Sequence, residues 1–326
     1  MIKLGVIGLG HMGTYHASVS AMLPSVKLVG VADIKTEHFQ KIKAPGILCT
    51  NDYRELLPLV DAVIIALPTD LHYPVAKEAL LAGVHVLIEK PLTRTIAQAE
   101  ELFQIAEQKN LTLHVGHVER FNGALQELKK IIETPYLIEM HRVGPFNPRV
   151  ASDSVILDLM IHDLDIVLNL VPSPLESFNV MGRKVHSANC DIATVQLAFR
   201  NGTIANIFSS RTSQIKNRSM AVHQAKEYLL LNFTTQDLAI HRGAASSIQV
   251  GQDQLRYRQE ALIEHLFVYK DNPLKLEIEH FIAGAKKGAQ VNRPVEDTAA
   301  LRLTFALEER LGLRWSESSR AQAASL

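Results

Sequence analysis

An aspartate and a histidine four residues apart, Asp158 and His162, lie in the strongly apolar segment Ile156–Val171. Its helical period places the carboxylate and the imidazole on one helix face, where an imidazole supported by a carboxylate can take a hydroxyl proton near neutral pH. The polar stripe continues with Asp165 and Asn169, which is equally consistent with a solvent-facing side. An Asp–His pair can also ligate a metal, but no further ligand lies at a recognisable spacing, so no metal is expected.

A lysine follows a short apolar run, in the sequence Glu89-Lys90-Pro91. At the end of a strand, a lysine can donate to a substrate hydroxyl, and its charge stabilises a developing alkoxide. The bond between Lys90 and Pro91 is a candidate cis peptide, since cis bonds occur almost only before proline. Taken alone, Lys90 is better explained as a solvated surface charge.

A glycine-rich turn opens the chain. Gly8, Gly10 and Gly13 form a G-x-G-x-x-G motif between a predicted strand, Ile2–Gly8, and a predicted helix, His11–Leu23. The first glycine permits a tight turn, the second lets a pyrophosphate approach the backbone, and the third allows close packing of helix on strand. The start of the helix then offers N–H groups and a partial positive charge to an anion.

An acidic residue follows at the distance that dinucleotide binding requires. Asp33 lies twenty residues beyond Gly13, at the end of the second predicted strand. A carboxylate there binds the adenosine ribose hydroxyls and repels a 2′-phosphate, so the sequence favours NAD over NADP. Lys35 softens this discrimination, and NADP stays possible.

The elements that position these residues change in type along the chain. Residues 1–118 alternate β-branched runs with helical periods, which predicts a doubly wound parallel sheet of the Rossmann type. The interior strands are mostly apolar, as expected where both faces of a sheet are covered. The predicted strands are Ile2–Gly8, Val26–Asp33, Ile47–Cys49, Ala62–Ala66, His85–Ile88 and Thr112–Val115, and the predicted helices are His11–Leu23, Lys35–Ile42, Leu71–Ala82 and Ile96–Lys109.

Residues 119–326 predict a second domain of the α+β class with a large, mostly antiparallel, open sheet. A helix over Glu119–Ile132 leads into a chain that is mostly strand-like between residues 176 and 261, with a hairpin signal at Asn201-Gly202. Two helices, Pro273–Lys287 and Val295–Leu311, close this domain. A dinucleotide domain followed by an unrelated domain indicates a small-molecule substrate in the cleft between them.

Composition excludes several classes of function. Lys plus Arg and Asp plus Glu both number 34, so the formal net charge is zero and a nucleic-acid partner is not expected. No apolar run approaches the ~18 residues of a membrane span, and the start of the chain lacks a signal-peptide layout. The two cysteines, Cys49 and Cys190, cannot make a disulfide framework. A cytoplasmic protein of two domains is therefore expected.

Four segments together resemble the glucose–fructose oxidoreductase, inositol dehydrogenase and MocA (Gfo/Idh/MocA) family. They are the glycine motif of residues 8–13, Thr69-Asp70-Leu71-His72, Val86–Leu92 and Asp158-x-x-x-His162-Asp163. The resemblance implies oxidation or reduction of a secondary alcohol and ketone pair on a sugar, polyol or sugar nucleotide. It also implies a homodimer or homotetramer built on the C-terminal sheet.

The same resemblance implies roles for individual residues. Lys90, Asp158 and His162 would form the catalytic site, with His162 as the base, Asp158 orienting it and Lys90 polarising the oxygen. A shared hydrogen-bond chain would allow Lys90 to be the base instead. The residues expected to bind the cofactor are Gly8, Gly10, His11, Met12, Gly13, Asp33, Pro68, Thr69, His72, Glu89 and Lys90.

The segment Val115–Asn122 resembles the branch of the family that oxidises the 3-hydroxyl of UDP-N-acetylglucosamine, whose 3-keto product feeds 3-amino sugars of lipid A-type glycolipids. Arginine suits a diphosphate because it donates two parallel hydrogen bonds. The expected substrate-binding residues are His117, Arg120, Asn122, Arg142 and Arg149, although Arg120 could instead brace the domain junction. A dehydrogenase of a free sugar or inositol is the alternative. From another class, an inactive dinucleotide-sensing regulator or scaffold remains open.

Overall fold

The computed structural model describes residues 1–42, 44–250 and 255–312, with the side chains of Arg149 and of residues 244–261 outside the description. The chain divides into two compact units. Of the described residues, the first comprises Met1–Phe121 and Asp271–Leu303, and the second comprises Asn122–Lys270 and residues 304–312. Each unit is described by itself below.

The first unit contains a parallel sheet with the strand order β3-β2-β1-β4-β5-β6 among its described residues. This is the strand order of dinucleotide-binding folds. From β1 the strands are first added towards β3, and after the crossover to β4 they are added on the other side. All six predicted strands are confirmed, with ends that differ by one residue at most. The strands are β1 (Ile2–Ile7), β2 (Val26–Ala32), β3 (Leu48–Thr50), β4 (Ala62–Ile65), β5 (His85–Glu89) and β6 (Leu113–Gly116).

Helices α1 (His11–Met22), α2 (Thr69–Leu81) and α3 (Ile96–Gln108) follow β1, β4 and β5. Thr95 caps α3 by accepting the Gln98 N–H at 3.2 Å. The predicted helix Lys35–Ile42 is wrong in type, because Thr36–Lys41 forms a 3₁₀ helix with no buried residue. Its single apolar residue, Phe39, packs partly buried against the core cluster, so the segment has too little apolar surface to gain much from a regular α-helix.

Helix α6 (Pro273–Ala285) belongs to the first unit, although the sequence boundaries place it in the domain 119–326. Its apolar residues Leu274, Ile278 and Phe281 share one buried cluster with residues of β1 and α1, such as Leu4 and Ala17. The amphipathic pattern of α6 indicates that one face is buried but not which sheet covers it.

The second unit contains a sheet with the order β14-β13-β12-β11-β7-β10-β9-β8 among its described strands, in which only the β7–β10 pair is parallel. This confirms the predicted large, mostly antiparallel sheet. The strands are β7 (Leu137–Val143), β8 (Leu175–Arg183), β9 (Ile192–Phe199), β10 (Ile204–Ser210), β11 (Asn217–Gln224), β12 (Glu227–Asn232), β13 (Asp237–Val250) and β14 (Leu255–His265).

The remaining helices are α4 (Gly123–Ile131), α5 (Ile161–Leu170) and α7 (Pro294–Arg310). The apolar segment predicted as one helix over Ile156–Val171 is in fact a π-helical turn, Ile156–Met160, continued by α5. Among the described residues, no helix is both long and apolar enough to cross a membrane.

Candidate nucleotide site and catalytic residues

The turn after β1 is shaped by two glycines that no other residue could replace. Gly8 has φ +88°, and a Cβ there would lie 2.6 Å from the carbonyl oxygen of Ala66 on the neighbouring strand end. A Cβ on Gly13 would overlap the carbonyl oxygen of Gly8. By contrast, a Cβ on Gly10 meets no described atom within 4 Å, so an open approach to the backbone lies there.

The start of α1 is built for an anion. Gly10 precedes the helix without a side-chain cap, and no acidic residue stands in the first turn. The first N–H groups of the helix are therefore left for a ligand, together with the positive end of its dipole. His11 and Met12 are exposed at this end. The glycine turn and the helix start together fit the diphosphate of a dinucleotide.

Asp33 directly follows β2 and is held by the turn itself. Its Oδ2 accepts the Leu9 N–H at 2.5 Å, its Oδ1 accepts the Lys35 N–H at 2.8 Å, and Nδ1 of His38 lies 3.1 Å from Oδ2. Burial alone would raise the pKa of Asp33, but these hydrogen bonds bring it below its ordinary value. The carboxylate is thus ionised at neutral pH, as an acceptor for ribose hydroxyls requires.

The residues after β4 differ in exposure. Pro68 is exposed and Thr69 is buried at the start of α2. His72 is buried, with Nδ1 at 2.9 Å from the Pro91 carbonyl oxygen and Nε2 at 2.8 Å from the Leu67 carbonyl oxygen. Burial lowers the pKa of His72. The imidazole therefore lies between two backbone carbonyl oxygens and, in its neutral form, donates to one of them. Direct contact of His72 with a cofactor stays a prediction.

Lys90 is half-buried immediately after β5, and its bond to Pro91 is cis, as predicted. The preceding Glu89 is buried and turned towards α1, where its Oε1 lies 2.7 Å from Nε2 of His16. Burial raises the pKa of Glu89, but the hydrogen bond to His16 and the nearby charge of Lys90 bring it below its ordinary value. A contact between Glu89 and a cofactor stays a prediction.

In the second unit, Asp158 lies in the π-helical turn and His162 is the second residue of α5, and both are half-buried. A π turn aligns residues five apart, so the contact predicted from an α-helical spacing of four stays a prediction. The four-residue polar stripe is not uniform, because Asp165 is buried and Asn169 is exposed. Single π turns are frequent at functional sites, which makes this helix start a candidate for chemistry.

Arg142 on β7 is 2% exposed. Its Nε donates to Oδ1 of Asp163 at 2.8 Å, Nη2 lies 2.7 Å from the same oxygen, and the guanidinium stacks 5.5 Å from the centre of the Phe233 ring. This buried ion pair joins β7 to α5. A contact between Arg142 and a substrate stays a prediction.

The other predicted substrate residues have distinct surroundings. Arg120 is partly exposed and donates from Nη1 to Oδ1 of Asp297 at 2.6 Å. His117 is buried, and Asn122 is the N-cap of α4, accepting the Ala124 N–H at 3.1 Å and donating to the Phe233 carbonyl oxygen at 3.0 Å. The side chain of Arg149 lies outside the described residues.

Two histidines beside the site escaped sequence analysis. His16 stands three residues after the last glycine of the motif, and His38 stands five residues after Asp33. A histidine on the inward face of α1 is a weak signal, because buried histidines are common in cores. The acidic partner of His16, Glu89, lies on β5, and only folding shows it.

Family models match both parts of the chain. Residues 2–117 match an oxidoreductase family with an NAD-binding Rossmann fold, and residues 132–229 match the GFO/IDH/MocA C-terminal domain. The first match covers the six strands of the parallel sheet. It agrees with the geometry of the glycine turn and of Asp33.

Individual relatives agree with these models. UDP-N-acetylglucosamine 3-dehydrogenase of Acidithiobacillus ferrooxidans is 36% identical over 249 residues, which are 75% of this chain and 79% of the relative. A solved structure of that enzyme superposes with a TM-score of 0.83 and 31% identity, covering 94% of this chain and 96% of the other. Myo-inositol 2-dehydrogenase of Thermotoga maritima is 27% identical over 229 residues, 64% of this chain and 67% of the relative.

Proposed function

We propose, from the premise that this chain belongs to the Gfo/Idh/MocA family of oxidoreductases, that it oxidises the 3-hydroxyl group of UDP-N-acetylglucosamine to a 3-keto sugar. The chain is an NAD(P)-dependent oxidoreductase that acts on CH–OH groups. The proposal concerns which alcohol it takes.

One observation carries the choice of substrate. The Acidithiobacillus ferrooxidans enzyme, named for UDP-N-acetylglucosamine, matches 94% of this chain at a TM-score of 0.83, and its sequence identity of 36% exceeds the 27% of the inositol dehydrogenase. The segment Val115–Asn122, which resembles the same branch, supports this choice. A 3-keto product would supply an enzyme that places an amino group at that carbon.

We assign the chemistry to three side chains. His162 takes the proton of the 3-hydroxyl group, and Asp158 orients the imidazole or binds a neighbouring hydroxyl. Lys90 donates to the same oxygen and stabilises the negative charge that develops on it. NAD bound at the glycine-rich turn would supply the acceptor for the hydride that leaves the substrate carbon, which balances the reaction as alcohol plus NAD to ketone, NADH and a proton. Lys90 as the base is the variant of this scheme.

Arg120 is the arginine that we propose for the diphosphate. Its side chain is 18% exposed, against 2% for Arg142, and the ion pair with Asp297 fixes the orientation of its guanidinium plane. Fixing the fork beforehand reduces the entropy lost when it binds an anion. His117, Asn122, Arg142 and Arg149 complete the proposed substrate set.

We also propose that the chain pairs through the sheet of the second unit. One face of this sheet carries a row of half-buried and exposed rings, with Phe208 and His141 5.9 Å apart, and with Tyr228 4.8 Å from His223 and 5.5 Å from His241. Leu230 on the same strand as Tyr228 is 40% exposed. Aromatic and apolar side chains of this kind are enriched in homodimer interfaces. Light scattering should give the molar mass of a dimer or tetramer. Leu230→Glu should lower this mass, whereas Ile215→Glu, which lies in a loop, should leave it unchanged.

The proposed reaction is tested with UDP-N-acetylglucosamine that carries deuterium at C3, using NAD and NADP in parallel. We expect deuterated NADH and a 3-keto sugar nucleotide, with a ketone trap to draw the equilibrium forward. UDP-glucose, glucose and myo-inositol serve as competitors in the same assay. Turnover of myo-inositol with silence on the sugar nucleotide would overturn the substrate. NADH binding without turnover of any of these would favour the dinucleotide-sensing regulator.

A further inference from the structure

A buried contact links the glycine-rich helix to the strand end that carries Lys90. His16 on α1 is completely buried, and its Nε2 lies 2.7 Å from Oε1 of Glu89, at the end of β5. The other carboxylate oxygen of Glu89, Oε2, accepts the backbone N–H of Lys90 at 3.2 Å. The contact therefore continues from α1 through two side chains to the Lys90 peptide.

We propose that His16 and Glu89 are positioning residues that hold the Lys90 peptide in register with the glycine-rich turn. The inference rests on the catalytic role of Lys90 in the proposed function. α1 begins at the glycine motif, so a cofactor bound there and the amine of Lys90 would share one rigid frame. In this arrangement His16 acts through Glu89 and touches neither substrate nor cofactor.

Among the side chains around Glu89, His16 is the main partner that holds its carboxylate in place. The carboxyl of Glu277 on α6 is fully buried and makes no hydrogen bond to any described residue. Burial and the charge of Glu89 raise the pKa of Glu277, which favours its neutral form. A buried carboxylate is tolerated only when it is paired, and removing one partner of such a pair is strongly disruptive. The carboxylate of Glu89 thus depends on His16 to stay in place.

The other side of Lys90 is held in a parallel way. His72 on α2 contacts the carbonyl oxygen of Pro91 through Nδ1 at 2.9 Å, and it contacts that of Leu67 through Nε2 at 2.8 Å. The residues before and after Lys90 are therefore each anchored by a buried histidine, one on α1 and one on α2. A lysine side chain has high rotamer entropy, so a fixed backbone on both sides narrows where its amine can reach.

The test compares two substitutions of His16 with a control on the same helix. His16→Gln keeps a donor near the position of Nε2, whereas His16→Leu fills a similar volume without one. Ser20→Ala alters another fully buried side chain of α1. For His16→Leu we expect kcat to fall by about tenfold or more while KM for the sugar nucleotide stays within about threefold, and we expect His16→Gln and Ser20→Ala to stay close to wild type.

A double-mutant cycle decides whether the two residues act as a pair. Glu89→Gln alone should lower kcat about as much as His16→Leu, and the double variant should lose much less than the product of the two effects. Equal losses for His16→Leu and His16→Gln would overturn the proposal. So would a lowered melting temperature with unchanged kcat, since that pattern describes a purely structural pair.

A second readout keeps this test separate from the proposed reaction. Hydrogen exchange of the peptide containing Lys90, measured with and without NADH, needs no substrate. His16→Leu should speed exchange at the Lys90 amide, and His16→Gln should restore its protection. If wild type oxidises no sugar nucleotide, the proposed function fails while exchange still decides the positioning role. Unchanged exchange in both His16→Leu and Glu89→Gln would overturn it, and Glu89→Gln serves if His16→Leu does not fold.

Discussion

The two units each bury a carboxyl completely, yet the pKa values of the two groups shift in opposite directions. Glu277 in the first unit makes no hydrogen bond to a described residue, and burial raises its pKa well above the ordinary value. Asp191 in the second unit is equally buried, but its oxygens accept hydrogen bonds from Arg211 Nε and from backbone N–H groups, including that of Val185, at 2.7 Å.

Burial disfavours the ionised form of Asp191 as well, but these donors and the Arg211 charge overcome it and hold the pKa of Asp191 far below its usual range. Burial therefore does not decide the charge of an acid; the number of donors aimed at it does. In the second unit the buried charges brace loops and strands, as Arg211–Asp191 and Arg142–Asp163 show. In the first unit, Glu277, whose neutral form burial favours, lies close to Glu89 at the end of the strand before Lys90.

The sharpest test of this difference between the units is at His162, a half-buried residue of the second unit that lies beside its bracing ion pairs. His162→Ala should lower kcat by ~10²–10⁴-fold, because it removes the proposed base. The melting temperature and NADH affinity should change little, since the bracing pairs remain. Asn169→Ala, on the exposed side of the same helix, is the control and should stay within about twofold. If His162→Ala instead unfolds the protein, His162 has a structural role like that of the bracing ion pairs.

The bracing role itself is tested at Asp191. Asp191→Ala leaves the Arg211 guanidinium buried without its partner, so it should lower the free energy of unfolding by about 3–5 kcal/mol. Chemical denaturation measures this loss, and Glu176→Gln on the exposed surface should change the value by less than about 0.5 kcal/mol. A loss of under about 1 kcal/mol in Asp191→Ala would remove the contrast between the units.

The ionised Asp33 extends the comparison within the first unit, where donors again set the charge. Asp33→Ser removes the negative charge that repels a 2′-phosphate, so kcat/KM with NAD should fall and the preference for NAD over NADP should shrink by about tenfold or more. Steady-state kinetics with both cofactors measures the ratio, and Glu37→Gln nearby is the charge control. An unchanged ratio would mean that other residues discriminate the cofactors.

The smallest expected effect concerns Glu277, and it depends on pH. Because the folded-state pKa of Glu277 is raised, the folded protein binds one more proton than the unfolded chain above pH ~4.5, so its contribution to stability falls as pH rises. Asp191, with a lowered pKa, gives the opposite trend: its stabilisation is present above its ordinary pKa and is lost in acid.

Glu277→Gln removes the titrating group and keeps nearly the same shape. We expect it to flatten the decline of melting temperature as pH rises above about 5, with little change in stability at low pH. Glu279→Gln on the same helix is the control, because it changes a partly exposed acid. A Glu277→Gln profile that still falls with pH like wild type would show that another group carries the decline.

Sequence alone was sufficient for the features that depend on local order. Apolar runs and helical periods predicted all six strands of the parallel sheet, and the glycine spacing predicted the turn that begins α1. Asp33 and Lys90 could be located for the same reason, because each directly follows a strand that its own pattern defines. The type of the segment Thr36–Lys41 could not, since it lacks a periodic apolar face.

Tertiary structure decided the features that join distant residues. His16 meets Glu89 across 73 positions, Arg142 meets Asp163 across 21, and Arg211 meets Asp191 across 20. α6 belongs to the first unit because its apolar face packs against β1 and α1. The local sequence pattern shows which residues must be buried and where the chain must turn. Which partner a buried charge meets depends on how the chain folds back, and that partner sets its charge and its role.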